Sequence, residues 1–188
     1  NLYDTARLSP KRVVFAEGTH PTMLEAAVRA KEEGICFPIL LGNDEQIRQM
    51  ADDMKLNIEG VEILNLRNDS QYERRRRYAE IFARKMERKG YTQQEAVDKM
   101  YERNYFGMMM VETGEADAFI TGLYTKYSNT IKVANEVIGI RPGFQHFGTM
   151  HLISSKKGVF FVADTLINRR PSADALFDIA RLSADTVR

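Results

Sequence analysis

Six consecutive residues, Tyr127-Ser128-Asn129-Thr130-Ile131-Lys132, gather the groups that bind phosphate: hydroxyls, a side-chain amide and an ammonium. Val133, Ala134, Val137 and Ile138 follow at helical spacing, so this segment opens a helix. With Asn129 as the cap, Lys132 takes the third helical position. A cation there faces the positive end of the helix dipole, at a cost of about 0.3–1 kcal/mol. The three preceding helices carry an acid at that place: Glu25, Glu73 and Glu95. Free backbone N–H groups, two hydroxyls and a lysine converging at one helix start predict an anion cradle. Thr121-Gly122, just upstream, ends the apolar stretch Ala118-Phe119-Ile120, and glycine lets a ligand come close. The candidate binding residues are therefore Thr121, Gly122, Tyr127, Ser128, Asn129, Thr130 and Lys132. The alternative is a Lys132 that simply extends into solvent.

Other chemistry-bearing residues read as structural. Met108-Met109-Met110 carry soft sulfur ligands, but adjacent helical positions diverge, and methionine fills irregular cores. His20, His146 and His151 have no metal-ligand spacing, so no metal site is expected; His20 reads as a surface residue near a turn. Cys36 lies in the run Ile35-Cys36-Phe37-Pro38-Ile39-Leu40-Leu41 and reads as an inert core thiol. Arg74-Arg75-Arg76-Arg77 point ~100° apart in turn along a helix and make a solvated face, with Glu73 paired to Arg77. No nucleophile is paired with a base, so no catalytic residue is assigned.

The elements that must position these residues alternate. Residues 12–16, 35–41, 61–66 and 118–121 read as strands, the last one buried between helices. Helices between them open with Thr22–Glu25, Ser70–Glu73 and Thr92–Glu95 capping boxes or with the Gly42-Asn43-Asp44 turn. Tyr105 to Val111 reads as a helix stopped by Gly114. This spacing predicts an α/β chain, a three-layer αβα sandwich with one mostly parallel sheet. Gly139-Ile140-Arg141-Pro142-Gly143 then breaks the pattern. A hairpin follows, from Thr149–Ser154 and Val159–Ala163 around Lys156-Lys157-Gly158, and a last helix from Ser172 onward.

The bulk numbers bound the function. The chain has 188 residues, 44% hydrophobic and 28% charged, with a net charge of +1, so neither nucleic acid nor a membrane surface is expected as a partner. One cysteine fits a reducing cytoplasm, and no apolar run approaches the ~20 residues of a bilayer span. The chain starts at Asn1 and its last helical pattern has no stop signal, so it reads as a truncated piece of a longer protein.

The order of Arg12–Gly18, Tyr105–Gly122, Arg141-Pro142-Gly143 and Phe160-Phe161-Val162-Ala163-Asp164 with Asn168 and Pro171 resembles the phosphotransacetylase (phosphate acetyl/butyryltransferase) family along essentially the whole chain. The resemblance implies a fold like that of isocitrate and isopropylmalate dehydrogenases. It also implies a first αβα domain over 1–138 and the incomplete start of a second over 139–188. Free-standing members carry His-Thr-Thr or His-Ser-Thr, then Thr-Leu-Arg-Pro, where this chain has Tyr127-Ser128-Asn129-Thr130 and Ile131-Lys132-Val133. They often read Arg-Lys-His-Lys-Gly where this chain has Met86-Glu87-Arg88-Lys89-Gly90. Tyr127-Ser128 and Val137-Ile138-Gly139 look more like the C-terminal domain of hybrid NADP-dependent malic enzymes. That likeness implies a regulatory domain fused behind a malic enzyme, homo-oligomeric and cytoplasmic. It would bind acetyl-CoA or CoA, with phosphate as a further ligand and no cofactor of its own. A working phosphotransacetylase and an oligomerisation platform are the alternatives. The family's thiol-activating aspartate and serine–arginine cluster belong to a segment past Arg188, so the resemblance implies no transfer activity within these residues.

Overall fold

A computed structural model describes residues 2–187. After α1 (Leu2–Leu8), strands and helices alternate: β1 (Lys11–Phe15), α2 (Pro21–Glu32), β2 (Cys36–Leu41), α3 (Asp44–Asp53) and β3 (Glu62–Leu64). Three helices follow, α4 (Tyr72–Met86), α5 (Gln93–Lys99) and α6 (Arg103–Glu112), then β4 (Ala118–Ile120) and α7 (Tyr127–Val137). β5 (Met150–Ser155), β6 (Gly158–Ala163) and α8 (Ala173–Val187) complete the described chain. It divides into two compact units, one ending at Ile138 and one beginning at Gly139.

In the first unit the sheet runs β3-β2-β1-β4 with every pairing parallel, Val14 standing opposite both Ile39 and Phe119. Parallel neighbours require crossovers, and the intervening helices supply them. Successive side chains on a strand face opposite ways. Val14, Ile39 and Leu41 accordingly join one core with Tyr78, Phe82, Phe106, Met109, Val133 and Val137. Phe15 and Leu40 join another with Met23, Leu24, Val28, Ile47 and Ala51. Helices thus cover both faces. Cys36 and all three consecutive methionines are buried. No helix among the described residues is long and apolar enough to cross a membrane.

Several local expectations are corrected. β4 is an edge strand: Ala118 and Ile120 are exposed and only Phe119 packs against the core, because no strand among the described residues pairs on its outer side. The third strand covers only Glu62–Leu64. α2 starts two residues early at Pro21, whose fixed φ suits a first helical residue, so Thr22–Glu25 forms no capping box. His20 caps it, its Nδ1 accepting from the Thr22 N–H at 3.2 Å. Asn68, and not Ser70, caps the turn Asp69–Gln71 that leads into α4. Thr92 and Glu95 do form the reciprocal box, and the Glu95 carboxyl titrates below its ordinary range because the Thr92 backbone and hydroxyl donate to it.

The second unit is an antiparallel hairpin, Met150 opposite Ala163 and Ser155 opposite Gly158, with α8 packed beside β6. Both strands are largely solvent-exposed, and the unit's buried apolar residues are Ala175 and Ile179.

Candidate functional site

Glu17 stands two residues past the end of β1, where the Ala16 N–H still donates to the Ile120 carbonyl (2.9 Å) and the Gly18 N–H to the Leu41 carbonyl (3.1 Å). Those bonds turn the Glu17 side chain inward, leaving it 1% exposed. Burying a carboxylate is costly unless donors surround it. Here they come from one loop: the Gly122 N–H at 3.2 Å, the Tyr124 N–H at 3.3 Å and the Thr121 hydroxyl at 3.0 Å. The hydroxyl also lies 3.2 Å from Asn104 Oδ1; with one proton to give, it favours the charged acceptor. Gly122 has φ +141°, a conformation that side chains rarely adopt, with open space where a Cβ would stand. A buried acid at the end of β1 therefore shapes the loop after β4.

That loop delivers α7. The helix starts at Tyr127 with Lys126 as its cap, and the Lys126 side chain makes no capping bond. The Lys126 carbonyl accepts from the Asn129 N–H (3.0 Å) and the Thr130 N–H (3.3 Å). Asn129 is thus the third helical residue, not the cap, and Lys132 lies in the second turn. The expected clash of Lys132 with the helix dipole does not arise, since the dipole acts within the first turn. Lys132 is exposed, its Nζ 3.9 Å from Glu136. Glu136 is itself buried and accepts from the Tyr105 hydroxyl at 2.5 Å and from Tyr91 at 3.2 Å, which fixes α7 against α6. Burial, the bond to Glu136 and its charge push the Tyr105 phenol far up.

Two adjoining cavities lie where these strands end. One of about 310 Å³ is lined by Arg67, Tyr101, Glu102, Arg103, Asn104, Thr125 and Asn129. The other, about 430 Å³, is lined by Gly42, Asn43, Asn65, Leu66, Arg67, Tyr101 and Arg103. Of the seven candidate residues, Asn129 lines a cavity and Thr121 and Gly122 bind Glu17. Tyr127, Ser128, Thr130 and Lys132 lie on α7 and line neither. Sequence reasoning missed Glu17, Asn104, Arg67 and Arg103. Glu17 had one signal, an acid closing an apolar strand run before a glycine.

The arginine run is corrected too. Arg75 is buried and donates to the Leu66 and Asn68 carbonyls. Arg77 and Arg74 both pair with Glu115, and Glu73 lies near Arg76 (3.9 Å). Tertiary contacts outbid the local pair.

In the second unit, Asp164 accepts from the Asn168 N–H and side-chain amide, both 2.7 Å, and from the N–H groups of Thr149, Leu166 and Ile167. The Thr149 hydroxyl donates to it as well. Burial raises its pKa, but these donors outweigh burial and hold the carboxyl well below the usual range. Asp178 is lowered likewise by the Gln145 N–H and by His146. Both acids tie loops together. Among the described residues no cluster of His, Cys, Asp or Glu could hold a metal ion.

The family model described as Phosphate acetyl/butaryl transferase matches residues 1–188. The chain is 33% identical over 189 residues to an NADP-dependent malic enzyme of Escherichia coli, covering 100% of this chain and 25% of that protein. It is 29% identical over 194 residues to a phosphate acetyltransferase of Thermoanaerobacterium thermosaccharolyticum, covering 58% of it. A crystal structure of a phosphotransacetylase from Streptococcus pyogenes superposes with a TM-score of 0.80 at 27% identity, over 95% of this chain and 55% of that one. The chain therefore spans about a quarter of the malic enzyme and just over half of these two transferases.

Proposed function

Because this chain belongs to the phosphate acetyl/butaryl transferase family, we propose that it binds acetyl-CoA as the regulatory C-terminal part of an NADP-dependent malic enzyme. Relatives in which the matching segment is a quarter of a malic enzyme support the fusion. The observation that carries ligand binding is the loop of residues 121–126, fixed by buried Glu17 and opening into α7, whose N-cap Lys126 makes no side-chain capping bond. Ligands of parallel α/β sheets sit at the carboxyl ends of the strands, and uncapped helix starts favour anions. In this reading Thr121, Gly122, Tyr127, Ser128, Asn129, Thr130 and Lys132 are the residues that meet the ligand, with Asn129 in the cavity lining. The same reading carries an isocitrate-dehydrogenase-like fold, a first domain over 1–138 with the start of a second over 139–188, homo-oligomerisation and a cytoplasmic location. Neither a metal nor a cofactor of its own enters it.

Calorimetric titration of acetyl-CoA into the full-length protein tests binding, and malate oxidation with and without acetyl-CoA tests regulation. Saturable binding together with a changed oxidation rate is expected; no heat at any concentration overturns the reading. A second reading, acetyl transfer to phosphate, is favoured by the relatives named phosphate acetyltransferase. Steady release of free thiol from acetyl-CoA and phosphate would establish it, and thiol release at background would remove it.

A further inference from the structure

The two cavities at the carboxyl edge of the sheet share Arg67, Tyr101 and Arg103. Among the described residues neither arginine has an ion-pair partner. Their charged neighbours do: Glu102, the acid lining the first cavity, is engaged by Lys99 at 2.8 Å. Two guanidinium groups thus line the same space, and the Glu102 carboxylate there is paired with Lys99 rather than with either of them.

Both are held from behind. Arg67 sits in the loop after β3, where its N–H donates to Asn65 Oδ1 at 3.1 Å. Buried Arg75 grips the carbonyls on either side of it, those of Leu66 and Asn68, and stacks its guanidinium over the Tyr101 ring at 4.6 Å. Arg103 is the first residue of α6, 5.5 Å over the Tyr124 ring. The next residue, Asn104, is buried and contacts Thr121 in the Glu17 network. A cation at the first position of a helix opposes the dipole, and α6 has neither an acid in its first turn nor a side-chain cap bond. The buried charge of Arg75 and the Glu17 network therefore position two arginines that have no carboxylate partner among the described residues.

We propose that Arg67 and Arg103 form a cradle for a phosphoryl group at this edge of the sheet. Guanidinium forks match phosphate oxygens two at a time, and two forks suit a dianion better than a singly charged carboxylate. The source of the phosphoryl group rests on the acetyl-CoA reading above: the nucleotide end of the coenzyme, or inorganic phosphate. Lys132, tied towards Glu136 a turn further along α7, is not the anion's principal partner.

The test is calorimetric titration of the full-length protein with acetyl-CoA, its 3′-dephospho form and inorganic phosphate. Arg67→Gln, Arg103→Gln, the double variant and the two Arg→Lys variants are compared with Arg76→Gln, which alters an exposed cation on α4. Each Gln variant should weaken acetyl-CoA binding roughly tenfold, the scale of hydrogen bonds to a charged group. The double variant should lose more, the Lys variants less, and Arg76→Gln should bind as wild type, all with thermal midpoints no lower than wild type. If the cradle holds the 3′-phosphate, the dephospho form binds wild type as weakly as acetyl-CoA binds the double variant. If it holds the diphosphate, both coenzyme forms lose affinity equally in the double variant. If it holds inorganic phosphate, phosphate binding alone is lost. Double-variant affinities for acetyl-CoA and phosphate equal to wild type overturn the cradle and leave the acetyl-CoA reading standing. Arginine-dependent phosphate binding without acetyl-CoA binding does the reverse, and binding of neither overturns both.

Discussion

Glu17 is bound on three sides by one loop, so its loss should be felt there first. Glu17→Gln keeps the shape but replaces a charged acceptor by a neutral amide, leaving at least one of the loop's N–H groups poorly matched against it. We expect a cost of about 1–3 kcal/mol in urea denaturation. Faster hydrogen exchange at the Gly122 and Tyr124 amides is expected too; unchanged exchange there would show that the carboxylate does not hold the loop. Lys132→Ala, by contrast, removes one end of an exposed i, i+4 pair and should change stability by less than about 0.5 kcal/mol in the same experiment. Asp164 sets a pH prediction. Its folded pKa lies below its ordinary value of 3.8, so its contribution to stability is present above that pH and lost as pH falls below it. A carboxyl-detected NMR titration should give a midpoint below 3.8, and a midpoint at or above that value contradicts the hydrogen-bond set.

At the scale of elements, the site depends on how closely α6 approaches β4. A Cβ on Gly107 would lie 2.7 Å from Phe119 Cδ2 and 3.2 Å from Leu41 Cδ1, inside the contact distance of real side chains. Gly107→Ala improves helix propensity, yet it must push α6 off the sheet. Overpacking should win, at about 1–3 kcal/mol, read as a lower denaturation midpoint. The shift should reach Asn104 and Arg103 on the same helix. A stabilised variant would mean that Phe119 can move aside freely. The apolar helix, its Gly114 stop and the strand after it were legible from spacing alone, because burial leaves a periodic mark. That β4 stands at an edge was not legible. Three apolar residues read the same in a central strand as beside solvent, and only pairing partners distinguish them.

At the scale of the whole chain, both large cores draw only on residues up to Val137, while the second unit buries two apolar side chains. A protein ended at Ile138 should keep its far-UV circular dichroism and melt cooperatively. Residues 139–188 expressed alone should show no cooperative transition, since so small a core cannot offset chain entropy. A non-cooperative 1–138 would mean that its cores need support from the rest of the chain. The sequence by itself determined the alternation of strands and helices, the parallel sheet, the buried methionines and the Thr92–Glu95 cap. Each is written in residues near one another along the chain, where periodicity and hydrogen-bond reach act directly. Only the tertiary structure decided that Glu17 grips the loop after β4, that Arg75 is buried beneath Arg67, and that Arg67 and Arg103 face one space. Parallel strands bring their carboxyl ends together from distant parts of the chain. A charge's partner there is set by which helix packs where, not by the residues beside it.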